Sequence, residues 1–101
     1  MNIENAISCL PEHMRESARA YVMEGQSPND EFLQAVLEND LHKAAALADD
    51  VNVLALKDWA RFLHEAPVMA WGCRDRIDRW IRLGGIKGAN ARIKDRTNAA
   101  P

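Results

Sequence analysis

The chain has 101 residues, 48% of them hydrophobic and 28% charged, with a net charge of −2. That balance belongs to a folded domain of ordinary size and excludes a disordered polar chain, and so small a net charge supplies no overall field for nucleic acid or an anionic membrane. No stretch approaches the roughly 18 apolar residues of a membrane span.

The opening MNIENAISCLPEH holds neither a basic leader nor a long apolar run, and Cys9 and Cys73 stand apart. The expectation is a cytoplasmic protein with reduced thiols. The charge is unevenly placed. Residues 1–72 carry five basic and twelve acidic side chains, a net of −7, whereas residues 73–101 carry eight basic and three acidic, a net of +5. An acidic body with a basic end steers association electrostatically.

Nearly every segment reads as helix. A short first helix over about residues 2–9 is stopped by Leu10-Pro11, and Pro11 opens the next, since its missing N–H would be unpaired in a first turn anyway. Met14, Ala18, Tyr21 and Val22 then recur at helical spacing, and Gly25 supplies the terminating left-handed residue. In QSPNDEFLQAVLEND, Ser27 is the expected N-cap and Pro28 the first helical residue, with Phe32, Leu33, Val36 and Leu37 as the buried stripe. Asn39-Asp40 breaks the chain before a short Ala-rich helix, Leu41 to Ala48. Asp49 and Asp50 cap a helix expected from about Asn52 to Glu65, with Leu56, Trp59, Ala60 and Leu63 on one face, Val53 extending it and Phe62 near its edge. Pro67 ends that helix. After the turn APVMAWG, Ile77, Trp80 and Ile81 face the core of a further helix closed by Gly84-Gly85. The fold class is therefore all-α, a compact bundle of five to six short helices over residues 1–85. Residues 86–101 lack a sustained apolar stripe and are expected as a flexible basic tail.

The segment WGCRDRIDRWIRLGG is the candidate contact region. Arg74, Asp78 and Arg82 step by four residues and Asp75 pairs with Arg79, so one reading is a solvated face laced by ion pairs of about 0.2–0.5 kcal/mol each. The other reading makes Trp71, Arg74, Arg76, Arg79 and Arg82 a partner-binding set, because arginine forks engage carboxylates or phosphates and a loop tryptophan beside them has the composition of an interface hot spot. Trp71 equally suits a plug at the end of the bundle. Interleaved aspartates argue against a groove that tracks phosphates. His13, His42 and His64 are dispersed, and Cys9 with His13 lacks a second ligand pair, so no metal site, cofactor or catalytic residue is expected. The glycines follow a helix where a phosphate loop would precede one.

Over residues 10–85, LPEHMRESARAYVMEG, FLQAVLENDLHKAAALADD, ALKDWARFLHEAP and WGCRDRIDRWIRLGG present Pro-Glu-His-Met, an AVLxNDL block, a Trp helix ending in Ala-Pro, then Trp-Gly and a Trp-Ile helix. In that order the chain resembles a group of small helical phage and prophage proteins. Proteins of that size and origin include anti-CRISPR inhibitors of the type I-F surveillance complex. The resemblance implies a non-enzymatic protein of the bacterial host cytoplasm that blocks a multisubunit defence complex by stoichiometric protein contact. A phage regulatory adaptor acting on host transcription or replication, with nucleic acid touching Arg74, Arg76, Arg79 and the basic tail, stands beside it, as does a structural homo-oligomer.

Truncating the Trp59 side chain should cost about 3–5 kcal/mol, as for other large core deletions. Urea unfolding of Trp59→Ala checks it, and a loss below about 1 kcal/mol would remove Trp59 from the core.

Overall fold

The structure, a computed structural model, describes residues 2–99, with side chains to residue 93. Among the described residues the chain is all-helical: α1 (Ile3–Ser8), α2 (Glu12–Glu24), α3 (Glu31–Leu37), α4 (Leu41–Leu47), α5 (Asp50–Leu54), α6 (Leu56–Glu65), a 3₁₀ turn (Val68–Ala70), α7 (Arg74–Leu83) and α8 (Gly85–Ala99). The class is the expected one. The count exceeds five to six because one expected helix divides and another element follows residue 84.

Helices this short are marginal alone, since nucleation consumes most of what a few backbone bonds return. Their first turns are accordingly capped. Asn2, Asp30, Asp40 and Asp49 each accept, through a side-chain oxygen, the N–H three residues on, at 2.9, 3.0, 3.1 and 2.7 Å. Each cap contributes about 0.5–2 kcal/mol. Asp30 rather than Ser27 starts α3, which corrects the expected start. Both residue types cap well, but a carboxylate also faces the positive end of the helix dipole.

The helix expected over residues 52–65 breaks at Ala55, where φ is −105° and ψ is 15°. There the Ala55 N–H closes onto Asn52 O at 3.0 Å, a three-residue step that ends α5. Asn52 is buried, and its Oδ1 accepts the indole N–H of Trp59 at 3.1 Å. That bond satisfies the polar edge of a fully enclosed tryptophan. The break turns the buried face: Phe62, expected at the edge, is enclosed, and Val53, expected on the inner stripe, is exposed. Phe32 and Phe62 meet the Trp59 ring edge-on, with centroids 5.3 and 5.7 Å away.

α1 packs on α2 and α6, α3 on α4, and α8 on α2 and α7, around Ile7, Leu10, Tyr21, Leu33, Leu37 and Ile77. The α2–α8 crossing depends on glycine. Gly25 ends α2 at φ 69°, and Gly84 and Gly85 turn the chain from α7 into α8 at φ 88° and 69°. A Cβ on Gly85 would lie 2.6 Å from the backbones of Met23, Glu24 and Gly25. The crossing carries α8 onto the body, where Ile86 packs against the core and Lys87 Nζ meets Glu24 Oε1 at 3.1 Å. Residues 86–101, expected as a tail, are thus helical as far as Ala99, and packing on the core continues past residue 85. The apolar pattern missed this because Ile86, in the first turn, is the side chain of α8 that packs against the core among the described residues, and one residue makes no stripe. Residues 100–101 lie outside the described residues.

Gly85→Ala should lower stability by about 2–4 kcal/mol, combining left-handed strain with a backbone clash. Thermal unfolding by circular dichroism measures this, and an unchanged midpoint would mean that the crossing is not close.

Candidate protein-contact surface

The loop from Pro67 to Cys73 has little regular structure of its own, so its backbone polar groups need other partners. The buried Tyr21 hydroxyl donates to Ala70 O at 2.5 Å. Arg76, on the first turn of α7, donates through Nη1 to Val68 O and Trp71 O, both at 3.3 Å. The Gly72 N–H donates to Leu37 O at 2.7 Å, tying the loop to the end of α3. Trp80 Nε1 donates to Tyr21 O at 3.1 Å, which fixes α7 to the same residue of α2 that holds Ala70.

A loop held at these points presents two apolar side chains outward, Val68 at 72% exposure and Met69 at 58%. They form one wall of a groove of about 360 Å³ whose other residues are Arg76, Arg79, Trp80 and Leu83. Apolar residues, methionine and arginine on a fixed backbone are the composition of protein-contact surfaces, and the rigidity reduces the ordering entropy lost on binding.

The arginines of α7 divide by position. Arg76 and Arg79 line the groove. Arg74 is directed at α3, its Nε 3.8 Å from Glu38 Oε1, and Arg82 Nε reaches Asp78 O on its own helix at 3.4 Å. Trp71 packs against the core and lies outside the groove lining. Its buried Nε1 has no acceptor, which costs about 1–3 kcal/mol. The structure thus brings two of the five sequence-predicted contact residues together and places Trp71, Arg74 and Arg82 elsewhere.

Among the described residues none of the expected pairs Arg74–Asp78, Asp78–Arg82 or Asp75–Arg79 closes as an ion pair. Arg74 has a competing partner in Glu38 and Arg82 reaches the Asp78 backbone carbonyl, while Arg76 bonds loop carbonyls that need donors. Arg76 is therefore part of the scaffold as well as of the surface.

Sequence reasoning missed Val68 and Met69, which stood inside a turn. It also missed a second apolar surface on α4 and α5, where Leu41 and Leu54 are 73% and 88% exposed with Val51 and Val53 beside them. The sequence held no signal for it, because the five-residue length of α5, which leaves too few inward positions for Val51, Val53 and Leu54, follows from the break at Ala55. At the start of α5, His13 Nε2 lies 3.0 Å from Asp49 Oδ2. The Asn52 N–H above all, with His13 assisting, holds the Asp49 carboxyl below the usual carboxylate range. Cys9 ends α1 away from any ligand set: among the described residues no group of three or more His, Cys, Asp or Glu side chains is placed to hold a metal ion.

Compared with protein-family models, with curated proteins and with solved structures, the chain finds no match.

Burial pushes the Tyr21 phenol well above the ordinary tyrosine range, and the Asp78 carboxylate adds to the shift. A raised folded pKa means that the neutral phenol stabilises the fold fully below the unfolded value of about 10, and that this contribution falls away as pH rises beyond it. Tyr21→Phe should cost about 1–3 kcal/mol at neutral pH by stranding Ala70 O, and should flatten the alkaline decline. Urea titrations of both proteins between pH 8 and pH 11 compare the slopes, and equal slopes would remove Tyr21 from this role.

Proposed function

We propose that this chain is a stoichiometric binding protein that docks on a bacterial defence complex, of the type I-F CRISPR surveillance class, and blocks its binding to target DNA in the host cytoplasm. The observation that carries the reading is the 68–72 loop, hydrogen-bonded at four backbone groups, which presents Val68 and Met69 beside Arg76 and Arg79. A protein that inhibits by occupancy needs a stable patch of this composition more than it needs reacting groups. The resemblance of residues 10–85 to small helical phage proteins supports the choice of target class.

The patch also favours a protein over a nucleic-acid partner. Two cations of α7 and α8 have carboxylate partners, Arg74 with Glu38 and Lys87 with Glu24, which leaves fewer to release counterions from a phosphate backbone. Trp80 is buried, so the groove offers no aromatic face for a base to stack on.

A purified type I-F surveillance complex incubated with an excess of the protein should lose binding to labelled target DNA in a mobility-shift assay. Met69→Asp and Arg79→Glu should each weaken inhibition at least about tenfold, the effect of losing one well-packed interface anchor. Full DNA binding in the presence of a large excess of wild-type protein would overturn the proposal.

A further inference from the structure

From the groove beside α7 we infer the chemistry of its occupant: a segment of a partner protein that sets an apolar side chain next to a carboxylate, as on the polar–apolar border of an acidic amphipathic helix. The inference rests on reading this face as the binding surface and goes beyond it by naming what the face recognises.

Four of the groove residues, Val68, Met69, Trp80 and Leu83, are apolar, and the two charged ones, Arg76 and Arg79, are both cations. No carboxylate lines it. Asp78 lies about 200° around α7 from Arg76 at 100° per residue, on the far side of the helix. Asp75, one turn before Arg79, is exposed and makes no ion pair with it. Arg76 is engaged by the carbonyls of Val68 and Trp71, so Arg79 is the groove cation whose guanidinium has no partner among the described residues. A planar guanidinium bonds a carboxylate bidentately, and the pair gains strength beside a wall that excludes water. The apolar wall needs an apolar counterpart. One carboxylate beside one or two aliphatic side chains satisfies both demands, and a phosphate backbone satisfies only the first.

The test is an amide NMR titration of the ¹⁵N-labelled full chain with three probes: a helical peptide of Leu, Ala and Glu, the same peptide with Lys for Glu, and an oligothymidine. The Glu peptide should shift the amides of Met69, Gly72 and Arg79, with an affinity at least about fivefold lower for Arg79→Glu and for Met69→Asp, and unchanged for Lys57→Glu on α6. Arg79→Lys keeps the charge and loses the fork, so it should bind more weakly than wild type as well. Three results would overturn the inference: no shift at those amides at millimolar Glu peptide, an equal response to the Lys peptide, or oligothymidine moving the same amides. Surveillance-complex binding that ignores Met69 and Arg79 would overturn the choice of this groove while leaving the inhibitor reading intact. A complex left untouched alongside a mapped Glu-peptide site would do the reverse.

Discussion

Tyr21 joins three parts of the molecule through two oxygens. Its hydroxyl donates to Ala70 in the loop, and its backbone carbonyl accepts from Trp80 on α7, so one residue of α2 sets the distance between loop and helix. Both bonds are enclosed. A buried hydrogen bond adds modestly when made and costs more when half of it is lost, which makes such a joint hard to loosen gradually. The groove exists because these two elements are held apart at a fixed spacing, with Met69 on one wall and Leu83 on the other.

Around that joint the fold is assembled from pieces too short to be stable on their own. α3, α4 and α5 have seven, seven and five residues, each begun by an aspartate that holds its first turn. Their outer faces are incompletely covered, and Leu41 and Leu54 project from them. By contrast α2 and α7 lie against each other through Tyr21 and Trp80, with α8 locked on by the glycine crossing. Local openings favour segments with few buried side chains, and α4 and α5 bury only Ala44 and Asn52, so opening is expected to begin at that corner.

The helices were legible in the sequence wherever a single strong signal governed them. Pro11, Gly25, Asp40, Pro67 and Gly84 bound elements close to the expected positions, because steric and capping rules act within a few residues. Two competing signals were harder to rank. Ser27 and Asp30 both cap well, and only the fold shows that Asp30 prevails. The break at Ala55 depends on Asn52 reaching Trp59 inside the core, a contact that no periodicity encodes. For the candidate surface, arginine spacing suggested pairings along α7 that the fold does not make. The deciding facts were long-range: Glu38 draws Arg74 away, and loop carbonyls enlist Arg76. Val68 and Met69 were invisible as surface residues because exposure in a turn follows from tertiary placement.

The clasp on the 68–72 loop is made almost entirely to main-chain atoms: the carbonyls of Val68, Ala70 and Trp71 and the amide of Gly72. None of those bonds asks what side chain stands at position 68 or 69. The fold therefore imposes little on the identity of the two most outward residues of the ridge, and selection is free to rewrite them. A backbone fixed in this way separates architecture from surface chemistry: the ridge can be resurfaced at positions 68 and 69 without disturbing a single bond that holds it in place.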